Sequence, residues 1–429
     1  MRRLLRAGSL LTASGILLLV ASGPATAGVS NQWALQKLRA QEAWKYSQGR
    51  GVIVGLADTG VDASHPDLQD VVMPGRDFVG SSDGRTDVGG HGTGMASIIA
   101  GQGVTAAGVR GLAPAAKIFP LRTSEWGSND PAAVEKAIPE VVAKGVKVLN
   151  LSMASYNLDP ELAKDNPEKT AIEYALRHDV VVVAGAGNNA NSRPAYPAGY
   201  AGVIAVTAVD EHGKPWAKTG HGPWVTVAAP GVGIYTARPG GKYKTVDGTS
   251  SATAYVSATV ALIRAKYPEL SANQVIHRLI KTADDCGPPG KDDYCGYGMI
   301  NPVRALTEDV GDWPKDKNPL APELTAAQPT QQPQASGDTN AGGPGVLVWA
   351  LGGLLAVGAV IALVVLLARR GGNRNQSPGG GGWPPPPGPP GPYGPPPGPQ
   401  YQQAGAPPGP WQQPGPPPPP PPGWQQPRR

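Results

Sequence analysis

Cysteine is nearly absent from this 429-residue chain, with only Cys286 and Cys295 present. That scarcity excludes a disulfide-knitted scaffold, and two such ligands with no histidine nearby make a poor zinc site. Excess basic charge is also missing where it would matter. Of 37 Lys and Arg, three lie in the first six residues and five beyond residue 368, while all 32 Asp and Glu lie between, so the middle carries 29 basic against 32 acidic groups. A mildly acidic middle gives no reason to invoke DNA or RNA as a partner. Charge of either sign is lacking from Gly345 to Ala368, and no Lys or Arg occurs between Asn318 and Pro344.

The uncharged run of 24 residues is long enough to cross a hydrocarbon layer roughly 30 Å thick with some tilt. Arg369 and Arg370 follow it at once, so the positive-inside rule sends the carboxyl end into the cytoplasm. At the other end, Arg2, Arg3 and Arg6 precede an apolar stretch from Leu10 to Val20 and then Ala25-Thr26-Ala27. Residues 1–27 therefore read as a secretory signal peptide, excluded from the fold. Export puts Cys286 and Cys295 in an oxidising compartment, where one disulfide is expected. Closing so short a loop adds roughly 2 to 3 kcal/mol in the chain-entropy model, enough to pin a Gly/Pro-rich excursion but not a fold of this size.

Between the ends the composition changes by segment. Residues 28–50 hold short amphipathic pieces around Trp33, Leu35, Leu38 and Trp44 whose apolar side chains can lie on a core. From 51 to 307 apolar runs of strand length alternate with helical patterns. The strand candidates are Val52 to Ala57, Ile118 to Leu121, Val146 to Leu151, Val180 to Ala184, Val203 to Val206 and Trp224 to Ala228. Their near-continuous Val, Ile and Ala content predicts a mainly parallel sheet buried between helices, an α/β class. Helix starts are predicted at Asp130-Pro131, at Asp159-Pro160 and at Ser271 with Gln274, and Pro139 should end or kink the helix begun at Pro131. Residues 308–344 read as a Pro-rich linker. Residues 369–429, runs of Pro and Gly broken by Trp and Tyr, cannot bury a core and should stay disordered; a docking role for Pro-rich modules and an inert solvated tail both stand open.

Three short stretches carry chemistry. Val52-Ile53-Val54-Gly55-Leu56-Ala57-Asp58 is an apolar strand delivering an acid at its end, and His91-Gly92-Thr93-Gly94 places a histidine at a helix start. Asp247-Gly248-Thr249-Ser250-Ser251 crowds small residues before an Ala/Val-rich helix, so that Ser250 would sit beside backbone N–H groups and the positive end of the helix dipole. Asp, His, Ser is the chain order of subtilisin, and the residues around each member resemble the subtilisin-like (subtilase) serine proteases. The resemblance implies a three-layer subtilisin-like fold and an endopeptidase with Asp58, His91 and Ser250 as the triad. Asn188, after Gly185-Ala186-Gly187, resembles the side-chain oxyanion donor, with the Ser250 N–H as the second donor.

By the same resemblance Ser152-Met153-Ala154 would receive the polypeptide substrate as an added strand, facing Trp126-Gly127-Ser128, and Gly185, Ala186 and Gly187 would wall the primary specificity pocket. Ala154 stands where the family usually has glycine. The other histidines, His65, His178, His212, His221 and His277, are expected at the surface, with Asp62 and Asp67 as turn or surface acids and Asn189 and Asn191 as loop residues. No cofactor is expected. Subtilases often bind calcium in loops, but Gly101 to Gly111 has no Asp, Asn or Glu, so no metal is expected there, and other loops stay open. Only 30 residues separate Gly28 from Asp58, too few for the long inhibitory propeptide of many secreted relatives.

Within the subtilases the pattern of signal peptide, Gln-Trp/Leu-rich segment, triad domain, Pro-rich linker and terminal span resembles the mycosins of type VII secretion systems, over residues 1 to about 370. It implies a single-pass protein of the cytoplasmic membrane, its protease domain outside and its tail cytoplasmic, with a type VII secretion complex as a partner. The alternative is a structural component of such a complex in which proteolysis is dispensable.

Overall fold

The computed structural model describes residues 32–126, 130–155, 163 and 166–321. Residues 1–27, Asp159-Pro160, 345–368 and 369–429 lie outside the described residues. Among the described residues no helix is long and apolar enough to cross a membrane.

A parallel sheet forms the middle layer. Its strands are β1 (Ile53–Asp58), β2 (Arg76–Asp77), β3 (Lys117–Arg122), β4 (Val148–Leu151), β5 (Val181–Gly185), β6 (Ile204–Val209) and β7 (Val227–Pro230). They lie in the order β2-β3-β1-β4-β5-β6-β7, every neighbouring pair parallel. Both faces are dry, which is why these strands read as unbroken apolar runs rather than alternating ones. Along β5, Val181 and Val183 pack into one core, while Val182 and Ala184 pack into the other.

The first core is covered by α3 (His91–Ala100), α6 (Thr249–Lys266) and α7 (Ala272–Lys281). The second is covered by α4 (Pro131–Ala143) and α5 (Pro167–Arg177). Helix α6 is buried almost all round, as an apolar helix without a polar face must be. Two short helices, α1 (Trp33–Lys37) and α2 (Ala40–Ala43), dock Leu35, Leu38 and Ala43 into the first core, and α8 (Pro302–Thr307) closes the same layer. Outside the sheet, β8 (Ile234–Arg238) and β9 (Lys242–Val246) make an antiparallel hairpin.

All six strand candidates lie in the sheet, and the expected capping box at Ser271 and Gln274 is present. Cys286 and Cys295 are joined as the expected disulfide. Several expectations need correction. Helix α4 runs through Pro139 to Ala143, because Val134, Ala137, Ile138 and Val141 bury one face of it and this packing outweighs the lost backbone bond. Residues 308–321, read as the start of a linker, return onto the domain. Gln274 donates to the Trp313 carbonyl, Trp313 stacks on His277 at 4.6 Å, and Asn318 and Ala321 are buried. Two histidines expected at the surface, His65 and His277, are buried, the first against Tyr243 and the second under Trp313.

Asp67, expected as a turn or surface acid, does lie in a turn but is fully buried, and it accepts from the Val104 and Val109 N–H groups and the Tyr243 hydroxyl. Its carboxylate thus organises the Gly101–Gly111 loop from a position 34 residues before that loop begins.

Asp179 ties the sheet to the helical layer. Its carboxylate accepts from Lys147 at 2.7 Å, from the buried Arg264 guanidinium at 3.0 Å and from the Ala272 N–H at the start of α7. Burial opposes its charge, but Arg264 and these donors hold its pKa below the ordinary aspartate value. Asp179→Ala should therefore cost about 1–3 kcal/mol, since the guanidinium keeps the Asp179 and Leu270 carbonyls as partners. With the folded value depressed, this contribution is complete above the unfolded aspartate pKa and is lost as pH falls through the folded one. Urea unfolding should show the gap between wild type and variant at pH 7 and its disappearance in acid.

Candidate active site

The carboxyl ends of the parallel strands, where ligands gather in open α/β sheets, bring the sequence candidates together. Asp58 is the last residue of β1 and is fully buried. Its carboxylate meets His91 Nδ1 at 2.8 Å (Oδ1) and 2.9 Å (Oδ2) and takes the Thr59 N–H at 2.8 Å. His91 opens α3 and keeps its side chain 30 % exposed. The pairing depends on Gly92. A Cβ there would fall 2.0 Å from the Gly60 carbonyl and 3.2 Å from Asp58 Cβ, so no larger residue lets the helix come this near the strand end.

A set of residues not picked out from the sequence holds this approach. Asp87 accepts from Thr59 Oγ1 and the Gly90 N–H on one oxygen, and from the Thr93 N–H and hydroxyl on the other, all between 2.6 and 2.8 Å. Thr59 Oγ1 in turn accepts from the Gly92 N–H. Asp87 lies three residues before the N-cap Gly90, outside the position at which a capping acid is read from sequence.

Electrostatically His91 sits between opposing forces. Burial works against the imidazolium, but the Asp58 charge and hydrogen bond, aided by Asp87, outweigh burial and the nearby Arg238. The ring therefore titrates above the ordinary histidine value.

Ser250 is the second residue of α6, with Thr249 and Ser251 buried on either side. Its hydroxyl donates to the Ser152 carbonyl at 2.7 Å rather than to His91, and Ser152 Oγ donates back to the Ser250 carbonyl at 3.1 Å. The carbonyl just past the end of β4 is the nearer acceptor. Catalytic hydrogen bonds commonly form or tighten only with substrate bound. A cleft of about 220 Å³ joins the residues, lined among others by His91, Asn188, Arg238, Gly248 and Ser250.

Asn188 follows β5, and its Oδ1 accepts from the Thr249 N–H at 2.8 Å and hydroxyl at 3.0 Å. The facing N–H fixes which amide atom is oxygen, so Nδ2 is presented on the other side. A Cβ built on Gly248 would lie 3.6 Å from Asn188 Nδ2 and 3.8 Å from the Ser250 nitrogen. The space that glycine leaves open is thus bounded by both expected oxyanion donors.

The remaining candidates are placed as follows. Met153 is buried, Ala154 is half-buried, and Ser155 pairs with Tyr196 in an isolated antiparallel bridge. Gly185 faces inward onto Thr249 and Thr253 of α6. Ala186 and Gly187 spend their N–H groups on the Val206 carbonyl and the Thr249 hydroxyl, which leaves a wall of small residues beside Asn188. Trp126 is exposed, and Gly127 and Ser128 lie outside the described residues.

Comparison with known proteins agrees with this geometry. The subtilase family profile matches residues 49–298. Thermitase of Thermoactinomyces vulgaris is 34 % identical over 278 residues, 65 % of this chain and 96 % of its own. Mycosin-1 of Mycobacterium tuberculosis is 32 % identical over 358 residues, 70 % of this chain and 79 % of its own. The crystal structure of MycP1 from the ESX-1 type VII secretion system superposes with a TM-score of 0.62 at 29 % identity, covering 67 % of this chain and 89 % of that one. The matched span contains β1, α3, β5 and the start of α6, the four elements that build the cleft. The chain belongs to the subtilase family of serine proteases and is related to the mycosins.

Proposed function

We propose that the chain is a serine endopeptidase held on the outer face of the cytoplasmic membrane and serving a type VII secretion system, in which Asp58, His91 and Ser250 act as the triad. The observation that carries the reading is the Asp58–His91 pair at 2.8 Å opening onto the same cleft as Ser250 and Asn188. Membrane attachment rests on the uncharged run 345–368 with Arg369 and Arg370 behind it, and the secretion role on the mycosin relatives.

The chemistry follows from the geometry. A peptide carbonyl enters the cleft, its acyl side extended along Ser152–Ala154 and its side chain against Ala186 and Gly187. Ser250 Oγ turns from the Ser152 carbonyl and attacks the carbon while His91 Nε2 takes the hydroxyl proton. Asp58 remains ionised, holds Nδ1–H and stabilises the imidazolium. The developing oxyanion lies between Asn188 Nδ2 and the Ser250 N–H, in the space Gly248 leaves open. His91 gives its proton to the leaving amine, the C–N bond breaks, and water repeats the sequence on the acyl-serine.

Purified protein should cleave an unfolded polypeptide, and Ser250→Ala should abolish cleavage. Its loss with secretion intact would mark an enzyme whose place in a complex does not need its chemistry, and no cleavage by folded wild type would leave the scaffold reading.

The oxyanion space yields a paired expectation. Asn188→Ala removes a donor and Gly248→Ala fills the space between donors, so each should lower kcat by about 10²- to 10³-fold with KM nearly unchanged. An unchanged kcat in both would remove this space from the mechanism.

His91 must be neutral to accept the proton, and its pKa is raised from 6.5. The acidic limb of the kcat/KM profile should therefore have its midpoint above that value. A midpoint below it would contradict the dominance of Asp58 over burial and Arg238.

A further inference from the structure

Among the described residues, Arg238 reaches the cleft without an anionic partner. It ends β8, pairs through its backbone with Lys242, and lines the same space as His91 and Ser250. Its Nη1 lies 3.0 Å from where a Cβ on Gly90 would stand, so the guanidinium rests against the residue that precedes His91. Among the described residues no carboxylate forms an ion pair with it, and the acids around it are committed elsewhere. Asp58 is bonded to His91, and Asp87 to four donors. Asp62 takes the Gly240 N–H, and Asp247 takes the Gly233 N–H. A half-buried guanidinium with its donors uncommitted is a planar fork suited to a carboxylate.

Position decides which part of a substrate would supply that carboxylate. Ser152 approaches Ser250 from β4, and the acyl half of a substrate runs there. Arg238 approaches from β8, beside the histidine that protonates the leaving amine. The chain beyond the scissile bond therefore passes Arg238. We propose that Arg238 is a specificity subsite for an acidic side chain, Asp or Glu, within the first two residues after the cleavage point, an inference that rests on the proteolytic reading of the same cleft. Substrate charge placed there also offsets the opposition of Arg238 to the imidazolium, which forms in the transition state.

The test uses two series of blocked peptides that carry Glu, Gln or Lys at the first or at the second residue after the scissile bond and are otherwise alike, and a further peptide with Gln at both positions and a free terminal carboxylate. With purified protein, kcat/KM for the Glu peptide of at least one series should exceed that for its Lys peptide by about tenfold at low salt and less at high salt. Arg238→Met should close the gap, Arg238→Lys keep part of it and Arg238→Glu invert it. Equal rates for Glu and Lys in both series in the wild type overturn the subsite, and preference for the free terminus over internal Glu overturns the assignment to a side chain. Binding to Ser250→Ala protein, followed by fluorescence anisotropy, removes turnover from the question. The Glu peptide of at least one series should bind about tenfold tighter than its Lys peptide, with the difference lost in the Ser250→Ala/Arg238→Met double variant. Equal affinities in both series overturn the subsite whether or not the protein cuts, whereas intact preference without any cleavage by the wild type counts against the proteolytic reading alone.

Discussion

The contact of the Asp58 carboxylate with His91 Nδ1, at the end of a strand that is buried on both faces, is what the surrounding structure is arranged to hold. A buried carboxylate is costly unless its lone pairs are met, and here the Thr59 N–H and the imidazole meet them. For the imidazole to arrive, α3 must start almost on top of β1, which only a glycine at position 92 permits. Asp87 then binds the first turn of that helix to Thr59, so the strand end and the helix start behave as one body. Helix α6 completes the arrangement by carrying Ser250 to the ends of β4 and β5.

Charges around the histidine are balanced rather than uniformly favourable. Asp58 and Asp87 favour the protonated ring, while burial and Arg238 oppose it. A base held too firmly in its charged form would be inactive at neutral pH, and one held too firmly neutral would gain nothing from its counterion. Arg238 thus has two consequences from one position, opposing the imidazolium and presenting a cation to the cleft it lines. Asn188 shows a similar economy, since the bond from the Thr249 N–H that fixes its amide also ties the loop after β5 to the helix carrying Ser250.

Much of this was legible in the sequence because it follows from local rules. Six apolar runs supply six of the seven strands of the parallel sheet, the Asp-His-Ser order placed three side chains in one region, and the Ser271–Gln274 pattern became a capping box. What was not legible depends on tertiary neighbours. Pro139 stays helical because one face of α4 is buried, and Asp67, in its turn, is buried only because the loop from Gly101 folds over it. Ile234–Arg238 and Lys242–Val246 were not among the strand candidates, yet the hairpin they form is what brings Arg238 to the cleft. Residues 308–321 lack periodicity and still pack, through single anchors such as Trp313 and Asn318.

The most direct measurement is mass-spectrometric mapping of the protein after reaction with a fluorophosphonate, which reports whether a serine is activated and which one. The account predicts one adduct, on Ser250, retained in Ser251→Ala and lost in His91→Ala. An adduct on another residue, or none on correctly folded and disulfide-bonded protein, would contradict it.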